Sequence, residues 1–392
     1  MHKIIGVTLL IASQIWGMGS HKTVQKTITT PVVETTPVKK YVPSKPTLKP
    51  TTKVSKNTPA KSLSKTATAT PIVATTTPKI PVSTEAVIIP PVASESILKA
   101  TTTVQAVLPP ADFTAINTFA RSATVNILCT VKGSELSPIS GTGVIISSQG
   151  VILTNAHVAQ YFLLNNFRIK NFITCVARTG SPAYPVYNLE LMYISPKWVE
   201  ANKTVLKDTN PQGTGENDFA LLRITGKIEG GILPSSFNHI TPNANETILI
   251  GDPVVLVSYP AGFLGGLSIL QNLNITSAET TVQDYYTYKE NTIDLISVPG
   301  TVVSQKGASG GGVIDGKSNI IGIITTSSEA NSTNARDLRA ITIGYINRAI
   351  QTETGWSLEQ ILSQNSADFA TKFQTETAPH LTTLITDELL KP

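Results

Sequence analysis

Residues 141–158 read Gly141-Thr-Gly-Val-Ile-Ile-Ser-Ser-Gln-Gly150-Val-Ile-Leu-Thr-Asn-Ala-His157-Val158. Two Val/Ile-rich runs flank Ser-Ser-Gln-Gly, a turn composition, so the stretch reads as two strands joined tightly. The second strand delivers a histidine at its end. A general base needs that arrangement: a rigid scaffold that presents an imidazole at a cleft. Taken alone, His157 reads more simply as a histidine satisfied within a core, and the rest of the chain has to decide.

Outward from this hairpin, short apolar runs bounded by Gly, Pro, Asn and Ser recur. They are 125–131, 143–147, 151–154, 171–177, 219–224, 254–259, 291–298, 312–315, 320–325 and 340–346. Many short strands with regular turn signals indicate an all-β sandwich or barrel. One short helix is expected before them, where Phe113, Ile116 and Phe119 fall at helical spacing. The stretch 351–392 reads as a helical tail, and Ser357-Leu-Glu-Gln360 has the spacing of a capping box.

The N-terminal part is of another kind. Residues 1–19 carry His2 and Lys3, then an apolar run from Ile4 to Ala12, then Gly17 and Gly19, the pattern of a secretory signal peptide. The run is shorter than the ~20 residues of a comfortable membrane span, and an uncleaved anchor stays open as the alternative. A secreted or extracytoplasmic location, in the periplasm or cell envelope, follows. Residues 20–110 read as a disordered linker. Thr, Pro and Lys fill half of 21–110, which has 12 Lys against 3 acidic residues. Such a segment cannot bury enough apolar surface to offset its ordering entropy. It reads as a stiff solubilising spacer, and contact with anionic cell-envelope polymers is the second reading.

Residues 111–392 carry 18 Lys plus Arg against 23 Asp plus Glu. An acidic globular part argues against nucleic acid as a partner, which calls for a clustered basic face. No metal-ligand cluster, phosphate loop or dinucleotide fingerprint occurs, so no cofactor or metal is expected. Cys129 and Cys175 lie on separate expected strands. Export permits a disulfide between them, while two buried small apolar residues are the plainer reading.

Ser309 lies in Lys306-Gly-Ala-Ser309-Gly-Gly-Gly312. Glycines around one serine allow a tight backbone and close approach of a substrate. The N–H groups of Gly307 and Ser309 can converge on one point as an oxyanion hole. Gly307-Ala-Ser309-Gly-Gly311 also fits the nucleophile elbow of α/β-hydrolases, but an elbow is followed by a helix, with its acid and histidine downstream. Strands follow here, and the one later histidine, His380, lies in the tail; His239 sits in a polar loop expected to be exposed. The third member of a triad holds the imidazole from a buried position. Asp218 opens the apolar run Asp218-Phe-Ala-Leu-Leu-Arg-Ile224; Asp294, inside another apolar strand, is its one serious competitor.

Together these blocks resemble a known family. Thr142-Gly-Val-Ile-Ile with Leu153-Thr-Asn-Ala-His-Val158, Asn217-Asp-Phe-Ala-Leu-Leu222 and Gly307-Ala-Ser-Gly-Gly311 look like the three catalytic blocks of HtrA/Deg-type trypsin-like serine proteases. Gly251-Asp-Pro-Val-Val and Tyr259-Pro-Ala-Gly262 resemble its intervening turn and strand, and Gly322-Ile-Ile-Thr-Thr326 and Ile343-Gly-Tyr-Ile346 its last strands. The order His157, Asp218, Ser309 is the trypsin-like one. The resemblance covers about 112–350 and implies two six-stranded antiparallel Greek-key β-barrels over 111–350, with the active site in the cleft between them. It implies a secreted serine endopeptidase acting on protein or peptide substrates, unfolded ones included, through an acyl-enzyme. It puts the base of a specificity pocket near Val303 and Ser304, with Thr325 and Thr326 along one wall, fitted to small or apolar side chains. Three features depart from the pattern, the first being the long, irregular segment between His157 and Asp218, which suggests an inserted loop. Ala308 stands where relatives carry Asn or Asp, and the 42 residues after Ile350 are fewer than the PDZ domain usual in HtrA proteins needs. The alternative functions are a catalytically inactive protease-fold module that binds peptides at the cell envelope, and a surface stalk whose working part is the Thr/Pro arm.

Overall fold

The computed structural model describes residues 111–133, 136–208, 213–245, 247–262, 264–288, 291–327 and 337–392, without the side chains of Thr326 and Ser327. The expected signal segment 1–19 and linker 20–110 lie outside these residues.

The chain enters through helix α1 (Phe113–Ser122), whose N-cap Asp112 accepts from the N–H groups of Thr114 and Ala115. Six strands then close a barrel: β1 (Thr124–Val131), β2 (Ile139–Ile145), β3 (Val151–Thr154), β4 (Ile173–Thr179), β5 (Tyr184–Ile194) and β6 (Ala220–Lys227). Their order around the barrel is β1-β2-β3-β6-β5-β4, every pair antiparallel. A four-residue helix, α2 (Ala156–Ala159), follows β3, and α3 (Pro196–Asn202) follows β5. Ile127, Ile152, Leu153, Leu191 and Leu222 of these strands are buried, each almost without exposure.

A second antiparallel sheet follows: β7 (Pro253–Ser258), β8 (Thr276–Thr281), β9 (Asp284–Tyr286), β10 (Leu295–Pro299), β11 (Gly312–Ile314), β12 (Ile320–Ser327) and β13 (Asp337–Thr342), with the short helix α4 (Gly266–Gln271) between β7 and β8. Its order is β8-β7-β11-β12-β13-β10-β9, seven strands instead of six. The seventh arises from a break. Residues 276–286 run from the β7 edge to the β10 edge with a gap at Val282 and Gln283, so one bent stretch supplies both outer strands. Val254, Leu256, Ile296, Val298, Val313 and Ile324 pack inside this sheet as a second core.

Two sequence expectations need correction. Residues 343–346 do not extend the last strand. Thr342 caps a helix, its hydroxyl accepting from Tyr345 N–H, and the apolar residues 343, 346 and 350 serve its buried face. Cys129 and Cys175 form a disulfide, because β1 and β4 pair with these two residues directly opposite each other.

The tail is helical as expected: α5 (Ile343–Thr354), α6 (Leu358–Ser363), α7 (Ser366–Glu376) and α8 (Ala378–Leu390). The capping box forms, with Gln360 N–H donating to Ser357 Oγ and Ser357 N–H to Gln360 Oε1. The tail folds back on the first barrel. Phe373 packs on Tyr193 of β5, Gln374 Nε2 donates to Leu191 O and Thr382 Oγ1 to Leu163 O. None of the described helices is long and apolar enough to cross a membrane.

Candidate active site

Register brings the first two candidate residues together. β3 and β6 pair antiparallel, with Thr154 opposite Ala220. His157 follows Thr154 by three residues, in α2, and Asp218 precedes Ala220 by two, so both lie just beyond the same end of the paired strands. Asp218 Oδ1 accepts from His157 N–H at 2.9 Å, and Oδ2 lies 2.8 Å from His157 Nδ1. A proton on Nδ1 satisfies that contact and leaves Nε2 as the nitrogen able to accept a proton. Asp218 is 4 % exposed, and the His157 side chain is half-buried. Asn155 Nδ2 donates to Asp218 O and fixes the carboxylate's backbone.

The same oxygen that faces the imidazole, Asp218 Oδ2, accepts the carboxylate's third hydrogen bond, at 2.8 Å from Thr325 Oγ1. Thr325 is buried on β12, so the second sheet reaches into the first barrel's charged pair. Burial is the largest single influence on both groups and opposes their charges. For Asp218 it is outweighed by the His157 charge, the hydrogen bonds from His157 and the one from Thr325, so the carboxyl is held below its ordinary value. For His157, burial is outweighed by the charge and hydrogen bond of Asp218, which carry the imidazole above 6.5.

Asp294, the competing carboxylate, is engaged elsewhere. It is 2 % exposed, accepts from Tyr288 N–H and from the hydroxyls of Thr287 and Thr292, and pairs with Arg348 Nη2 at 2.6 Å. His239 is half-buried, with Nδ1 3.0 Å from Phe237 O.

Ser309 sits between Gly307 (φ +91°) and Gly310 (φ +82°). A side chain cannot replace either glycine. A Cβ at Gly310 would lie 2.0 Å from Thr142 O, and one at Gly307 2.8 Å from Tyr259 O. Each oxyanion-hole candidate is aimed by the carbonyl of its own peptide, since C=O and N–H point opposite ways across a trans peptide plane. Lys306 O accepts from Ala261 N–H at 2.7 Å, which turns the Gly307 N–H away from that contact. Ala308 O accepts from Gly311 N–H at 2.8 Å and does the same for the Ser309 N–H. Among the described residues, neither N–H has a protein acceptor, and no hydrogen bond joins Ser309 Oγ to His157. Catalytic hydrogen bonds are often long in a site without substrate. Ser309 O accepts from Thr142 N–H, and Thr142 O from Thr154 Oγ1 at the end of β3, which ties the serine loop to the strand that carries His157.

The expected pocket residues are less open than the resemblance implied. Val303 and Ser304 are fully buried, Val303 within the second core and Ser304 Oγ accepting from Thr301 N–H. Thr325 turns its hydroxyl to Asp218, and the Thr326 side chain lies outside the described residues. Sequence reasoning did not single out the role of Thr142, of the Asn155 amide or of the Thr325 hydroxyl. All three stand in or beside the blocks already quoted, but only register and strand pairing show what their side chains touch.

Residues 141–323 match the family described as the trypsin-like peptidase domain. No curated protein matches the chain. The matched span runs from β2 to β12 and contains His157, Asp218 and Ser309. The match and the barrel fold together support a trypsin-like protease, a serine-protease type of function.

Proposed function

We propose that the chain is a serine endopeptidase of the HtrA/Deg-like kind, exported from the cytoplasm, that cleaves protein or peptide substrates after small or apolar residues. The observation that carries the reading is the His157–Asp218 pair, hydrogen-bonded through both carboxylate oxygens and tied to the Ser309 loop through Thr142 and Thr154.

In the proposed reaction the Ser309 oxygen attacks the scissile carbonyl while His157 Nε2 takes its proton. The raised imidazole value matters here, because a stronger base accepts that proton more readily as long as it starts neutral. Asp218 keeps Nδ1 protonated and stabilises the imidazolium that forms. The N–H groups of Gly307 and Ser309 receive the developing oxyanion. The imidazolium then protonates the leaving amine, and water hydrolyses the acyl-enzyme by the same steps in reverse roles. In this reading Ala308 leaves no acid for a freshly cut N-terminus to pair with, so the chain does not depend on that activation route. The N-terminal arm is a spacer that takes no part in peptide cleavage.

Digestion of casein by the full chain and by Ser309→Ala, with labelling by a serine-directed fluorophosphonate, tests the proposal. Wild-type cleavage with labelling at Ser309, both lost in the variant, supports it. Equal cleavage by the variant, or a label on another residue, overturns it.

A further inference from the structure

The hydroxyl of Thr142 is fully buried and uses both of its hydrogen-bonding roles across the cleft. It donates to Gly307 O at 2.7 Å and accepts from Tyr259 N–H at 3.0 Å. The backbone of the same residue donates to Ser309 O at 2.8 Å and accepts from Thr154 Oγ1 at 2.7 Å. Four hydrogen bonds thus meet at one residue of β2. Two of them hold the serine loop, one holds the end of β7, and one holds the strand that leads to His157.

The two hydroxyl contacts bear on the oxyanion-hole candidates in different ways. The contact to Gly307 O fixes the peptide between Gly307 and Ala308, directly between the two N–H donors. The contact from Tyr259 N–H fixes the start of the turn 259–261. Ala261 N–H in that turn holds Lys306 O and so aims the Gly307 N–H. One hydroxyl therefore sets both flanks of the Gly307 peptide. Gly307 has φ +91° and no side chain to hold it, so its orientation has to come from such outside contacts.

We infer that Thr142 is a positioning residue whose side-chain hydroxyl, acting from the first barrel, holds the 307–309 loop in the shape in which the Gly307 and Ser309 N–H groups converge on a transition-state oxyanion. This rests on the protease reading above. It adds to that reading a contact from β2 of the first barrel to the serine loop. The hydroxyl itself touches no substrate. Its loss releases the loop, so it weakens the stabilisation of a tetrahedral oxyanion and spares ground-state binding.

The test uses the full chain with Thr142→Val, which exchanges the hydroxyl for a methyl group, Thr142→Ser, which keeps the hydroxyl, and Thr142→Ala, which differs from the serine variant by the hydroxyl alone. The readouts are kcat and KM on a chromogenic peptide, inhibition by a peptide aldehyde whose adduct with Ser309 carries an oxyanion, and melting temperature. The valine and alanine variants are expected to lose ~10²-fold in kcat, the scale on which removal of one oxyanion donor acts. KM should stay within about threefold, the aldehyde should bind ~10²-fold more weakly, and the serine variant should track wild type, since a loss confined to kcat marks a transition-state interaction. The inference is overturned if valine and alanine keep kcat within about threefold of wild type, if kcat falls while aldehyde affinity holds, or if serine is as poor as valine. Should valine fail to fold, serine against alanine decides by the same criteria. If neither valine nor alanine folds, the hydroxyl is a stability element and the positioning role is rejected. A wild-type chain that neither cleaves nor takes a fluorophosphonate sinks the protease reading itself, and the clamp's purpose with it. An active, labelled wild type with an indifferent Thr142 sinks only the clamp.

Discussion

Thr325 Oγ1 and Asp218 Oδ2 lie 2.8 Å apart, and that oxygen is the one facing His157 Nδ1. The hydroxyl comes from β12 of the second sheet, the carboxylate from the residues just before β6 of the first barrel. Packing of the two sheets and orientation of the charged pair are therefore coupled. A buried carboxylate that accepts several hydrogen bonds stays ionised and holds one orientation.

Thr325→Val keeps the shape and removes that donor. Hydrogen bonds to charged groups contribute ~1.5–3 kcal/mol, so urea unfolding at pH 7 should show a loss of that order. Peptide hydrolysis should fall about tenfold, and Thr325→Ser should restore it, as it keeps the hydroxyl. A valine variant with wild-type stability and activity would show that the contact contributes to neither.

The two buried aspartates should separate cleanly. Asp218→Asn presents an amide where the imidazole needs an acceptor, and the matching change in a Ser-His-Asp triad lowers kcat by ~10⁴-fold. Asp294→Asn should leave kcat within about threefold and lower the melting temperature instead. The Asp294 carboxylate serves Arg348, Tyr288, Thr287 and Thr292, away from the imidazole. Steady-state kinetics and thermal melts on both variants check this. A reversed pattern would transfer the triad role to Asp294.

The pH dependence follows from the directions of the shifts. His157 must be neutral to act as base, and its value lies above 6.5, so kcat/KM should rise with pH along a limb centred above 6.5. Asp218→Asn removes the charge that raises the imidazole, so any residual activity should rise at lower pH than in wild type. Linkage gives the stability counterpart. The raised His157 contributes stability that is full below 6.5 and fades as pH climbs through its folded value. The depressed Asp218 contributes stability that is present above 3.8 and is lost as pH falls through its lower folded value. Activity profiles and urea midpoints between pH 3 and 9 test both.

Specificity is expected to follow the lining rather than a charge. Val303 and Ser304 are fully buried and carry no carboxylate, so neither provides a partner for Lys or Arg. Cleavage sites in a digest of denatured protein should fall after Val, Ala or Ile. Dominant cutting after Lys or Arg would reject this pocket while leaving the triad assignment standing.

What could be read from sequence was what chain order carries. His157 closes a hairpin signalled by its own turn, and Asp218 and Ser309 open and precede apolar runs, so the candidates and the all-β class were legible. What depends on which strands become neighbours was not. The 46-residue separation of Cys129 and Cys175 says nothing of register, yet register makes them directly opposed. β5, β8 and β9 gave too little apolar alternation to stand out, because much of each is half exposed: β8 reads Thr-Ser-Ala-Glu-Thr-Thr. Residues 343–346 are as apolar in a helix as in a strand. The cap formed by Thr342 decides between the two, and it is visible only in hydrogen bonds.

The tail offers the last prediction. α7 and α8 cover the outer side of β5 and the turn after α2, and the contacts are of two kinds. Leu381 and Ile385 are buried, and Phe373 packs on Tyr193. Glu353 at the end of α5 accepts hydrogen bonds from Tyr193 OH and Ser195 Oγ, at the end of β5 and the residue after it. β5 pairs along its length with β6, and β6 begins two residues after Asp218. The tail therefore braces the strand next to the charged pair without touching the pair itself. A fully buried Leu→Ala change costs about 2–5 kcal/mol, so Leu381→Ala should lower the unfolding free energy by that amount and the melting temperature by several degrees. Because β6 is held on its other side by β3, kcat measured well below the melting temperature should stay within about twofold. A loss of kcat with no loss of stability would mean that the tail tunes the site rather than braces the barrel.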